Sequence, residues 1–227
     1  MTIELWTEVD RYIQNLLIPA DDALSASVDA SIAVGLPPHQ VSEAQGKLLF
    51  LLAQIQGARA ILEIGTLGGY STIWLARALP PGGRLLTLEL DPKHAEVART
   101  NLARAGVANL AEVRVGRALD LLPQLVTEPG GPFDLIFIDA DKANNAEYFR
   151  WALRLSRAGT IIIADNVIRN GQVIDPSSPD PSVQGVRRFN ELLASLPDVD
   201  ATVIQTVGNK GYDGFALIRV RNPRERL

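Results

Sequence analysis

The chain has no cysteine. Disulfides, thiolate metal centres and cysteine nucleophiles are therefore excluded. Its only histidines are His39 and His94. His94 falls in the first turn of a helix and is expected to be exposed; His39, in the loop LPPHQV, borders a pocket at most. A histidine-based zinc or catalytic site is not expected. Positive charge is not in excess: 22 Lys and Arg against 26 Asp and Glu give a net charge of −4, which offers no electrostatic footprint for nucleic acid. The one basic cluster, Arg219, Arg221, Arg224 and Arg226, reads as a solvated end. No apolar run approaches the ~20 residues of a membrane span. The opening MTIELWTEVD lacks the cationic and apolar regions of a secretory leader. A cytoplasmic protein is expected, with neither nucleic acid nor membrane as partner.

What is present suits an ordinary globular chain. With 47% hydrophobic and 21% charged residues over 227 positions, the length predicts one α/β domain with a full core. No repeat, low-complexity tract or linker divides it. Residues 1–58 read as a helical cover. Trp6, Val9, Tyr12, Ile13, Leu16 and Leu17 recur at helical spacing up to Pro19, and Ser42 with Gln45 forms a capping box opening a helix through 47–54. Residues 59–227 alternate. Strands are predicted at 60–65, 84–90, 111–115, 133–138 and 159–164, with helices between them. Asp91, Pro92 and Gly106 bracket the clearest helix. Such repeats imply a parallel sheet covered on both faces. After a loop at 167–181 and a helix at 182–195, strands at 199–207 and 213–220 around GNKGYDG predict an antiparallel hairpin on a sheet edge. The segment DPSSPDPS reads as a flexible loop, either a substrate lid or an inert connection. Trp6, Trp74 and Trp151 read as core or interface.

The stretch LEIGTLGGYS, residues 62–71, is a buried strand that breaks on glycines into a helix. In a doubly wound sheet, ligands bind beyond the carboxyl ends of the strands, and Gly65, Gly68 and Gly69 allow close approach to the backbone there. About twenty residues on, LLTLELD ends in Glu89, a carboxylate placed to accept both ribose hydroxyls of a nucleoside. The glycine spacing is G-x-x-G-G rather than the dinucleotide pattern, and no Walker lysine follows. It suits a cofactor without phosphate, which points to S-adenosylmethionine. A nicotinamide-dependent oxidoreductase and a non-catalytic adenosine-binding protein are the alternatives.

A second constellation lies one strand over. FDLIFIDADK places Asp139, Asp141 and Lys142 past the fourth strand, and TIIIADNV places Asp165 and Asn166 past the fifth. Asp141 is expected to cap the following helix. Asp139, Asp165 and Asn166 offer only oxygen ligands, which select a hard cation such as Mg²⁺, Mn²⁺ or Ca²⁺ over zinc.

Together these motifs resemble the cation-dependent O-methyltransferases of the caffeoyl-CoA and catechol type, over nearly the whole chain. The resemblance implies a Rossmann-like, doubly wound, mostly parallel seven-stranded sheet with N-terminal helices and an antiparallel C-terminal hairpin. By it, Gly65, Thr66, Ser71, Glu89 and Ala118 would line the S-adenosylmethionine site, Glu63 would support it, and Val41 would cover it. Asp139, Asp165 and Asn166 match the metal ligands, Mg²⁺ being the first expectation, with Asp139 also near the methyl donor. Lys142 matches the general base, and Asn166 and Asn170 fall at the substrate. The implied reaction is metal-dependent methylation of a small catechol-like or phenylpropanoid hydroxyl, in a homodimer. Arg117 and Arg169 depart from the family pattern.

Overall fold

The computed structural model describes residues 2–221. Arg224 and Arg226 of the basic cluster lie outside them. Three helices open the chain: α1 (Ile3–Leu17), α2 (Asp22–Ala33) and α3 (Glu43–Gln56). Each starts on a polar cap, from Thr2, Asp21 and Ser42. Asp21 both caps Leu24 and pairs with Arg77 at 2.6 Å, tying the cover to the core. The predicted capping box is half formed. Ser42 Oγ accepts from Gln45 N at 3.3 Å, but the Gln45 amide faces Asp165 instead of turning back.

The core alternates β1 (Ala60–Ile64), α4 (Tyr70–Ala78), β2 (Arg84–Glu89), α5 (Pro92–Arg104), β3 (Ala111–Val115), α6 (Ala118–Leu125), β4 (Phe133–Ile138), α7 (Asn145–Arg154), β5 (Ser156–Asp165), α8 (Pro181–Ser195), β6 (Val199–Gly208) and β7 (Gly211–Val220). Short 3₁₀ turns cover Lys142–Asn144 and Gln172–Ile174. The seven strands order as β3-β2-β1-β4-β5-β7-β6. The first five are mutually parallel, and β7 pairs antiparallel with both β5 and β6. Strand order reverses between β1 and β4, so that gap is the expected crevice.

Side chains of period two sort the core onto both faces of the sheet. Leu62, Ile64, Ile136 and Ile138 face α6, α7 and α8, while Ile61, Leu135 and Phe137 face α3, α4 and α5. Phe149 and Phe189 meet edge-to-face at 5.4 Å and pin α7 to α8. Trp74 is buried in the second cluster, and Trp151 packs partly buried on the first.

Two boundaries differ from the sequence pattern. β5 begins at Ser156, because the pairing with β4 shifts from Phe133↔Ser156 to Leu135↔Ile161. That irregularity breaks the alternation by which the strand would be recognised. The hairpin is tighter than expected: its strands run to Gly208 and from Gly211, joined by Asn209 and Lys210. Asn209 N donates to Asp10 at 2.7 Å, so the turn docks on α1. The DPSSPDPS segment is ordered by its own bonds. Asp175 accepts from Ser177 N and Oγ at 2.8 and 2.7 Å, and Asp180 caps α8. None of its residues lines the cavity described next.

Candidate active site

The break after β1 is dictated by a close approach. Gly65 has φ +101°, and a Cβ there would stand 2.7 Å from the Asp139 carbonyl carbon and nearer still to its oxygen. Only glycine lets the ends of β1 and β4 come this close. Beside it the buried Glu89 accepts three backbone N–H bonds, from Thr66 (3.1 Å), Leu67 (2.8 Å) and Asp91 (3.0 Å). An ionised carboxylate has about four acceptor sites, so Glu89 holds the glycine turn and still has capacity for a ligand hydroxyl.

Glu63 lies beneath this turn, fully buried, and does not line the cavity. Its carboxylate accepts from Ser71 Oγ (2.7 Å), Thr72 Oγ1 (2.5 Å) and Thr87 Oγ1 (2.7 Å). Burial pushes its pKa up to about 7; the three hydroxyls oppose that rise, and the Asp139 charge adds to it.

On the other side of the crevice, Asp139 follows β4 and Asp165 ends β5. The register pairs Ile138 with Ala164, so the two acids follow on adjacent strands. Lys142 is buried and its Nζ lies 2.6 Å from Asp139 Oδ1. Burial first, and then the Asp139 charge, raise Asp165 to about 7. The Lys142 charge, the Asn166 N–H and the Gln45 amide oppose that rise. α8 presses on the backbone of the lysine turn: a Cβ at Gly185 would sit 2.6 Å from Ala143 Cα and closer to the Lys142 carbonyl oxygen.

The loop after β5 is left-handed at Asn166 (φ +56°), Arg169 (+55°) and Asn170 (+54°). Non-glycine residues rarely hold that conformation unless their surroundings impose it. Asp213 on β7 does so. Its Oδ1 accepts from Ile168 N, Arg169 N and Gly214 N at 2.9, 3.0 and 3.0 Å.

These elements enclose one cavity of about 770 Å³. Val41, Gly65, Thr66, Ser71, Glu89, Ala118, Asp139, Lys142, Asp165 and Asn166 all line it. Asn170 does not: the left-handed turn leaves it exposed and gives the cavity Arg169 instead. His94 is not free in solvent as expected. It lines the cavity 3.5 Å from Glu89, because the first turn of α5 folds directly over the end of β2. Asp141 does not cap the following turn; its carboxylate takes Asn144 Nδ2 at 2.6 Å and the Tyr148 hydroxyl. Gln45 and Lys210 line the cavity too. The sequence marked Gln45 only as a capping-box residue and Lys210 only as part of the hairpin turn. Among the described residues no group of three or more His, Cys, Asp or Glu forms a metal cluster. The acidic rim is two carboxylates and an amide, all oxygen donors.

Fold and site together define a class: a doubly wound α/β enzyme with a nucleoside-type recess at β1–β2 and an acidic rim with a buried lysine at β4–β5. The model of the O-methyltransferase family matches residues 21–220, and the chain belongs to that family. It is 57% identical to the catechol O-methyltransferase of Niastella koreensis, over 97% of this chain and 100% of that protein. Among solved structures, it resembles the O-methyltransferase from Bacillus cereus in complex with SAH (60% identity, TM-score 0.96, 97% of this chain and 100% of that one). It also resembles TomG from Streptomyces achromogenes, an O-methyltransferase involved in tomaymycin synthesis solved in complex with SAM (56% identity, TM-score 0.94, 98% and 100%). The resemblance seen in the sequence holds for both family and fold, and the chain is an O-methyltransferase.

Proposed function

We propose that this enzyme, working as one domain under its N-terminal helical cover, transfers the methyl group of S-adenosylmethionine to one hydroxyl of a small catechol-like or phenylpropanoid aromatic, with the help of a divalent cation. The observation that carries this is the meeting of Glu89 with Asp139, Lys142, Asp165 and Asn166 on one cavity wall. Glu89 accepts the ribose hydroxyls of the cofactor, with Gly65, Thr66, Ser71 and Ala118 around it and Val41 above. Asp139, Asp165 and Asn166 would hold the cation. Two carboxylates whose charges repel, completed by an amide oxygen, would suit a hard ion such as Mg²⁺, with Mn²⁺ or Ca²⁺ as alternatives. Bound there, the cation supplies Lewis-acid chemistry that lowers the pKa of a coordinated hydroxyl. Lys142 Nζ, steered by Asp139, would receive the proton of the reacting hydroxyl as a neutral amine, its resting ammonium proton having first passed to solvent. Tyr70, Val41 and Gln45 from the cover and its neighbour exclude water, which favours a reaction in which opposite charges cancel.

The test compares matched aromatic pairs. Vicinal diols should be methylated far faster than monohydroxy analogues, EDTA should abolish turnover, and Mg²⁺ should restore it. Chelator-resistant activity, or equal rates on both members of a pair, would refute the metal-chelation mechanism. A cytoplasmic homodimer completes this reading. Ile3, Leu5, Val9, Tyr12, Leu16 and Leu17 leave an apolar stripe exposed on α1, beside the exposed Val203, Ile204 and Val207 of β6. Light scattering at micromolar concentration should give a dimeric mass, and a monomeric mass would contradict the homodimer.

A further inference from the structure

Among the arginines and lysines on the cavity wall, Arg169 alone has a side chain with no hydrogen bond and no ion pair to the described residues. Lys142 pairs with Asp139. Arg117 lies 3.9 Å from Asp120. Lys210 donates to the Pro38 carbonyl oxygen at 3.2 Å and feels the charge of Glu43. Among the described residues the Arg169 side chain makes no hydrogen bond and no ion pair, and its Nε is buried without a partner. The acids on the cavity wall have other partners: Asp139 is held by Lys142, Asp141 by Asn144 and Tyr148, Asp165 by the Asn166 N–H and the Gln45 amide, and Glu89 by three backbone N–H groups, while Asp213 behind the loop is held by three more. Arg169 is also held against its backbone preference. Its φ is +55°, and the Asp213 carboxylate fixes its N–H, so the chain turns Arg169 to the cavity and leaves Asn170 outside. A strained backbone that delivers an unpaired guanidinium to a binding cavity, three residues from Asn166, points to a ligand group for that guanidinium.

We propose that the acceptor substrate is an anion: an aromatic diol that also carries a carboxylate, and that Arg169 binds this carboxylate. The inference rests on the reading of the cavity as an aromatic-diol methyltransferase site. The planar fork of arginine matches a carboxylate in a way that a point charge does not. Lys210, on the turn between β6 and β7, adds a second positive charge to the wall of the same cavity.

The experiment uses the full chain with saturating S-adenosylmethionine and Mg²⁺, and two probes that differ only in charge, 3,4-dihydroxybenzoate and its methyl ester. Rates are measured for the native enzyme, Arg169→Gln and Arg169→Lys. Calorimetry of both probes on enzyme loaded with S-adenosylhomocysteine and Mg²⁺ runs in parallel. The intrinsic difference in reactivity between acid and ester cancels when the variants are compared. Arg169→Gln should lower kcat/KM for the acid by about 10- to 100-fold, through KM, with the ester nearly unchanged. Arg169→Lys should recover part of that loss. Equal losses on acid and ester, or an unchanged acid-to-ester ratio, would overturn the proposal, since a purely structural arginine would act on both probes alike. If neither probe is methylated, the methyl-transfer reading fails and calorimetry decides the inference alone. Weakened binding of the acid only, in Arg169→Gln, upholds it; the same acid affinity in the native enzyme and the variant overturns it.

Discussion

At the β1–β2 end of the cavity, buried carboxylates are surrounded by donors. Glu63 accepts three hydroxyls and Glu89 three backbone N–H groups. At the β4–β5 end, two carboxylates follow adjacent strands, a buried lysine pairs with one of them, and the backbone beyond is left-handed at three non-glycine residues. The first end is a satisfied network, in which low dielectric strengthens each bond and fixes the shape of the turn. The second concentrates repulsion and strain, which the rest of the fold must offset. On the function proposed above, one end serves geometry and the other chemistry. Substitutions should therefore separate them: binding and folding respond at β1–β2, turnover at β4–β5.

The largest expected effect is at Lys142. Lys142→Ala should cut kcat by roughly 10²–10⁴, the usual loss of a general base, while the cofactor Kd measured by calorimetry stays within about twofold. A comparable loss of cofactor affinity would erase the contrast between the two ends.

Next comes the buried acid beneath the glycine turn. The folded-state pKa of Glu63 is raised from 4.5 to about 7. Its contribution to stability is therefore fully present below pH 4.5 and is lost as the pH rises towards 7, a swing of about 3 kcal/mol. Glu63→Gln cannot ionise, and it breaks the hydroxyl network. The variant should be much less stable than the native chain at pH 5, and the gap should narrow by up to that amount at pH 8 in urea melts. A gap independent of pH would show that Glu63 does not titrate in this window.

The smallest of the three is Glu89→Ala, which should weaken cofactor binding by about 1–3 kcal/mol, the range for lost hydrogen bonds to a charged group. The kcat at saturating cofactor should change little. An unchanged Kd in a folded variant would remove Glu89 from the recess.

The chemistry-bearing residues at strand ends were legible in the sequence because their signals are local. A glycine break after an apolar run, an acid about twenty residues on, and IDADK and ADN at the ends of two strands announce themselves through period and spacing. So do the caps at Ser42 and Asp91. Sequence alone thus determined the alternation of elements, the family, and the positions of Gly65, Glu89, Asp139, Lys142, Asp165 and Asn166 on one rim. Only the tertiary structure decided what surrounds them. Gln45 reaches Asp165 from 120 residues away in sequence, Asp213 on β7 sets the loop after β5, and Gly185 on α8 makes room for the lysine turn. The exchange of Asn170 for Arg169 on the cavity wall turns on a few left-handed dihedrals. Propensity and period report on a residue's own segment. Contacts between segments depend on strand order and packing, which place residues together without leaving any mark in the local pattern.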